Sequence, residues 1–386
     1  MKKNMEKWTG NLVLPGEVCF GEIELAEGLI QRITRKDLPQ PGVILILPGF
    51  IDLHFHGLGT FGTGGLAALQ GIAKFAPKTG TTGVCPTLAP YRWDKMLSFV
   101  RHGARLAKQE PAGARILGTH LEGPFIAPEA KGGMNLEYLR SASVEEFEEL
   151  WHAGEGTLRL LTISPELPGA MEVIRRAAGK NVQVSVGHTH CTLKQFQEAV
   201  SAGAGQVCHL FDTFEGRNVV GGVCQPSLTD AILLEERVFV EIIADGHHVP
   251  PLLIELARRC AGSQRIIAIT DCMQGTGLPD AVYQEEDGRD YRLTNGDVCR
   301  LMDETKGIVG SCLTMDQAFR NLTGKFGFAI PEASRMLSGN PAQALKLEQQ
   351  IGSLQEGWQA DIVLLSPETY QVQQTLVAGK IAYAAR

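Results

Sequence analysis

Hydrophobic positions in this chain gather into eight runs rich in β-branched residues. They are VILILPGFIDLHFH, TTGVCPTL, RILGTHLEGPF, LRLLTISPE, VQVSVGHTH, GQVCHLFD, VFVEIIADGHH and RIIAITDCM. Most are continuous rather than alternating, as expected of parallel strands covered on both faces. Between several of them lie segments with helical character, such as SVEEFEELWHAG, TLKQFQEAVSAG and PPLLIELARRCAG. The first two close on glycine, a usual helix stop. Eight buried strands alternating with helices predict an α/β fold, a TIM (β/α)8 barrel.

The two ends are patterned differently. Residues 1–48 carry short alternating stretches such as GEIELAEGLIQRIT, and residues 346–386 are similar. These ends are expected to pair into a small β-sandwich beside a barrel spanning 49–345, because the termini of a domain often lie close together. The stretch 272–312, with YQEEDGRDYRLTNGDVCR, predicts a hairpin-bearing insertion after the eighth strand. The glycine-rich HGLGTFGTGG lacks the Lys-Ser/Thr of a phosphate loop and is read as a mobile loop over the barrel mouth.

Composition narrows the choice of class. A chain of 386 residues with 44% hydrophobic content suits one large barrel with additions. A net charge of −7 with no basic run argues against a nucleic-acid surface. The opening MKKNMEKWTG has no apolar region after it, so no signal peptide is expected. No apolar stretch approaches the roughly 18–20 residues of a membrane helix. The nine cysteines are odd in number, scattered and without C-x-x-C, which fits reduced thiols in a cytoplasm.

The polar residues stand at the C-terminal ends of the predicted strands, where barrel chemistry is placed. Strand one ends in His54 and His56, three in His120 and Glu122, five in His188 and His190, and six in His209. Strand seven ends in Asp245, His247 and His248, and strand eight in Asp271. Eight of the ten histidines fall at these ends, which points to a site. Imidazoles and carboxylates together suit a borderline divalent metal such as zinc. Side chains at i and i+2 of a strand share a face, so His54 and His56 can serve one ion. Glu122 has two oxygens with which to bridge two ions. A metal lowers the pKa of water to about 7, and Asp271 is the natural proton shuttle. His120 and His247 are read as structural, His190 as structural or as a support behind the ligands, and Asp245 as a turn-former with a role in orienting a ligand as the alternative.

The strings PGFIDLHFHG, HLEGPF, GHT, HLFD, IADGHH and ITD resemble the N-acetylglucosamine-6-phosphate deacetylase family of the amidohydrolase superfamily. The resemblance extends over almost the whole chain, through TISPE, IVGSCLTMDQAF and NPAQAL to IGSLQEGWQADIVLL. It implies that Glu122, His188 and His209 hold the tighter metal, and that His54 and His56 add a second ion with Glu122 bridging. Zinc is the expected metal, at one or two ions per chain, with iron, manganese or cobalt as alternatives. Asp271 matches the catalytic aspartate, and His248 the histidine that polarises the acyl carbonyl. The resemblance also implies a homodimer in which an arginine, here Arg217, completes the neighbouring subunit's phosphate site.

Two strings depart from the family. HLFNAM becomes HLFDTF, putting Asp212 and Thr213 near the expected phosphate, and KGAH becomes KGGM, putting Met134 where a histidine reaches the sugar. The expected reaction is hydrolysis of the N-acetyl amide of an amino sugar, N-acetylglucosamine 6-phosphate foremost. A deacylase of a non-phosphorylated N-acyl substrate is the alternative these departures raise. A non-catalytic scaffold is disfavoured, because the full ligand set and Asp271 are retained.

Overall fold

The computed structural model describes residues 5–214, 216–285 and 287–385. Eight barrel strands follow the chain in order. The first is Phe50–Asp52. The second is Thr81–Val84, resuming as Thr87–Leu88, and the third is Arg115–Ile116, resuming as Thr119–Glu122. Leu158–Ile163, Gln183–Val186, Ala204–Val207, Phe239–Ile243 and Ile266–Ile269 complete the set. Each lies parallel to the next. The eighth meets the first at its C-terminal end, where the Asp271 amide donates to the His54 carbonyl at 2.8 Å. Thr270 Oγ1 also donates to Asp52 Oδ2 at 2.6 Å. The arrangement is that of a TIM-like barrel.

The three helices expected from the pattern form as Val144–Ala153, Leu193–Ala202 and Pro251–Ala261. Their starts are chemically specified. The Ser143 side chain accepts from the Glu146 amide, and Thr192 and Gln195 form a reciprocal capping box. Gly203, at φ 119°, ends the second in a conformation that side chains other than glycine rarely adopt. Among the described residues no helix is long and apolar enough to cross a membrane.

The two ends of the chain meet in one seven-stranded sheet. Its order is Lys380–Ala384, Val372–Val377, Ile362–Leu365, Leu45–Pro48, Glu6–Leu14, Glu17–Ala26 and Leu29–Asp37. Leu12, Ile23, Ile30, Ile46, Ile362 and Leu376 form a core separate from that of the barrel. The run VILILPGFIDLHFH is thus two strands. Leu45–Pro48 joins the terminal sheet, and Phe50–Asp52 opens the barrel. The switch occurs at Gly49, where an added Cβ would lie 2.2 Å from the Thr82 side chain, so only glycine lets the chain pass so close.

The insertion is a four-stranded antiparallel sheet of Ala281–Gln284, Asp290–Leu293, Val298–Leu301 and Ile308–Ser311. Met273, Tyr291, Leu293, Cys299, Leu301 and Cys312 form its small core. The glycine-rich segment differs from the expectation of a mobile loop. Gly57–Leu58 and Phe61–Gly62 pair as a hairpin, which hydrogen-bonds to residues 272–276.

Candidate metal centre and active site

Five donor residues converge at the C-terminal end of the barrel. Glu122 Oε1 lies 3.0 Å from His188 Nε2, 3.0 Å from His209 Nε2 and 3.4 Å from His54 Nε2. Its other oxygen lies 3.2 Å from His56 Nε2. Asp271 Oδ1 faces the same pair of rings, 3.5 Å from His54 Nε2 and 3.2 Å from His56 Nε2. The first strand ends at Asp52, so His54 and His56 sit just beyond it rather than on it. Their rings still approach to 5.4 Å between centroids.

The cluster has the character of a cation site. His188 Nε2 and His209 Nε2 are 3.1 Å apart, too close for two lone pairs without a proton or cation between them. His54 Nε2 and Asp271 Oδ1 are buried and have no hydrogen-bond partner in the protein. Burial would raise the Glu122 carboxyl, but His54, His188 and His209 hold it well below the usual range. Burial opposes charge on His56, yet Asp271 and Glu122 outweigh it and raise the pKa to about 9. A donor set this ready to take up positive charge fits divalent metal ions.

The backbone is strained where it aims these groups. His188 (φ 47°), Thr213 (φ 58°) and Asp271 (φ 50°) all occupy the left-handed region. Such residues cost on the order of 1–3 kcal/mol each and gather at functional sites.

Beside the cluster, His248 Nδ1 is held by Asp245 Oδ2 at 2.6 Å, and its Nε2 is buried without a partner. Burial disfavours the imidazolium, but the hydrogen bond and charge of Asp245 raise the pKa of His248 above its ordinary value. Asp245 therefore orients a ring as well as shaping the turn, accepting the His247 and His248 amides too. His120 lies between Thr87 Oγ1 (3.1 Å) and Thr162 Oγ1 (2.9 Å), as a structural histidine would. His190 and His247 are exposed.

A cavity of about 360 Å³ opens over the cluster. Met134, Asp212 and Thr213 line it, as the sequence suggested. Arg217 lies outside this cavity. Its side chain is 62% exposed and pairs in bidentate fashion with Asp230, the residue that caps the helix Leu228–Leu234. Arg217 cannot then serve the site of its own chain in this conformation.

Sequence reasoning missed two groups. The insertion brings Glu285, Asp287 and Arg289 to the cavity, with Arg289 anchored to Asp287 and to the Gly133 carbonyl at 2.9 Å. Beneath the donors lie Cys208, whose Sγ is 3.7 Å from Glu122 Oε1, and the wholly buried Glu241. A charge inside a continuous apolar run was the available signal for Glu241, since such residues are almost never buried unless paired.

Barrel and donor cluster together define a metal-dependent hydrolase of the amidohydrolase class, and residues 45–382 match the model of the Amidohydrolase family. An N-acetylgalactosamine-6-phosphate deacetylase of Escherichia coli O157:H7 is 31% identical over 371 residues, covering 95% of this chain and 93% of that protein. The N-acetylglucosamine-6-phosphate deacetylase of Bacillus subtilis (strain 168) is 30% identical, with coverage of 95% and 93%. The solved structure of N-acetyl-D-glucosamine-6-phosphate deacetylase from Mycobacterium smegmatis superposes with a TM-score of 0.88 at 29% identity, covering 98% of this chain and 100% of that one. The chain belongs to the N-acetylglucosamine-6-phosphate deacetylase branch of the amidohydrolase family.

Proposed function

We propose that this protein hydrolyses the N-acetyl amide of an amino sugar 6-phosphate, N-acetylglucosamine 6-phosphate foremost, releasing acetate and the free amine. The observation that carries the reading is the convergence of four imidazoles on Glu122, with Asp271 facing two of them, at the floor of a cavity. Glu122, His188 and His209 would hold the tighter ion, and His54 and His56 would hold a second together with Glu122. Divalent ions held there, zinc foremost, supply Lewis acidity and a nucleophile at neutral pH. Asp271 takes a proton from the attacking water and delivers it to the leaving nitrogen. His248, fixed by Asp245, presents Nε2 to the acyl oxygen and donates to it as negative charge develops there.

The distal end of the substrate lies toward Asp212, Thr213 and Met134. We assign the protein to a homodimer in which Arg217 reaches the cavity of a second copy. Its exposure, and the exposed valines that follow it, support this. The free thiols suit a reducing cytoplasm.

A second reading, a deacylase of a non-phosphorylated N-acyl substrate, is favoured by the cavity wall. Asp212, Glu285 and Asp287 line it, and among the described residues Arg289 is its one Lys or Arg. Rates on N-acetylglucosamine 6-phosphate, N-acetylgalactosamine 6-phosphate and unphosphorylated N-acetylglucosamine separate the two. A charge-assisted hydrogen bond of about 1.5–3 kcal/mol to the phosphate predicts a preference of roughly 10–150-fold in kcat/KM for a phosphorylated sugar. A preference for the unphosphorylated sugar establishes the second reading instead.

A further inference from the structure

We propose that Glu241 is a positioning residue that fixes which nitrogen of His54 faces the metal, and so sets the affinity of the His54–His56 ion. Glu241 lies on the seventh barrel strand, Phe239–Ile243, which itself supplies no donor to the cluster. Its side chain is 0% exposed. Glu241 Oε1 accepts from Gln206 Nε2 at 2.6 Å. Oε2 accepts from the His209 amide at 3.3 Å and lies 3.2 Å from His54 Nδ1. Among the described residues, His54 is its one ion-pair partner.

The tautomer follows from donor arithmetic. An ionised carboxylate only accepts, and a neutral imidazole carries one N–H. His54 Nδ1 must then hold the proton, which leaves Nε2 with a lone pair directed at Glu122 and Asp271. The opposite tautomer would turn an N–H toward the metal position and set a bare nitrogen against a buried carboxylate. Carboxylates that hold the far nitrogen of a ligating histidine fix its tautomer and orientation, and losing one typically costs about 10–100-fold in metal affinity. Gln206 completes the device. Its amide N–H fixes the carboxylate, so the clamp runs across strands six and seven to the segment after strand one. The inference rests on the metal reading of the cluster.

The variant Glu241→Gln keeps the size but cannot accept from both Gln206 and His54. Adding Gln206→Glu restores the pairing, since the new glutamine donates to Glu at 206 and accepts from His54. Zinc stoichiometry and chelator competition are measured on wild type, the single variant and the double variant, with circular dichroism confirming the fold. Wild type is expected to hold two ions. The single variant should keep one at wild-type affinity and bind the other about 10–100-fold more weakly, and the double variant should recover most of the loss. Equal affinities in wild type and single variant, or equal weakening of both ions, overturns the proposal. A wild type holding no ion overturns the metal reading itself, one holding a single ion overturns the His54–His56 ion and with it this proposal, and the wild-type sample alone reveals either. Histidine-selective ¹⁵N NMR of zinc-loaded wild type, with His54 assigned by His54→Gln, needs no folded Glu241 variant. It should show His54 protonated on Nδ1, and protonation on Nε2 overturns the proposal.

Discussion

Asp271 shares its strand end with no second carboxylate, and it faces two histidines rather than one. Burial would raise its pKa, but His54 and His56 keep it below the ordinary value, which suits the base that the proposed reaction requires. Asp271→Asn is expected to retain both ions and to lower kcat by about 10²–10⁴-fold, the usual contribution of a general acid–base group. Metal analysis alongside kinetics checks this. Loss of an ion in the variant would make Asp271 a ligand instead. At this scale most of the centre was legible, because strand ends are where a barrel shows its side chains and histidines are rare elsewhere in this chain. Glu241 escaped because hydrophobic periodicity averages over a single charge. The part played by Arg217 is not legible within one chain, because the sequence of an exposed loop does not say which way a long side chain leans; here it pairs with Asp230.

The hairpin of Gly57–Leu58 and Phe61–Gly62 is tied to the segment that follows the eighth strand. The His56 and Gly57 amides both donate to the Cys272 carbonyl, at 2.7 and 3.0 Å, and the Gly59 amide donates to Thr276 at 2.9 Å. A Cβ on Gly57 would lie 2.4 Å from the Gln274 amide nitrogen, a backbone atom that cannot swing aside. Gly57→Ala is therefore expected to cost about 1–3 kcal/mol, as overpacking does, read as a lower urea midpoint at unchanged slope. An unchanged midpoint would mean the hairpin moves freely from residues 272–276. All eight strands and the three helices were legible as elements, since run length and caps are local properties. That one run serves two sheets was not, because the break at Gly49 depends on the approach of Thr82, distant in the sequence.

Arg217 stands beside a second hairpin, Val219–Val220 paired with Val223–Cys224. Val219, Val220 and Val223 are 67%, 60% and 62% exposed, an apolar grouping that monomers seldom leave open. Cys224, Leu234 and Leu256 extend it around Arg217. Replacing Val220 with Lys is expected to shift sedimentation from dimer to monomer and to weaken use of a 6-phosphorylated sugar, while the ions stay bound. A monomeric wild type with full activity would remove the dimer from the scheme. That the chain's ends belong together was legible from their shared alternation, and the seam between strands eight and one was implied by the predicted barrel, although the hydrogen bonds that close it were not. The seam has a consequence for how the molecule is made. Asp52 and Thr270 are 218 residues apart, and Leu45–Pro48, already beside Glu6–Leu14, gains its second neighbour only at Ile362–Leu365. At ribosomal speeds of about 5–20 residues per second, the first barrel strand waits on the order of ten to forty seconds for its last neighbour. His54 and His56 emerge early, but the pocket they serve closes only when most of the chain has been synthesised. Completion of the site is thus a late event in the life of the nascent protein.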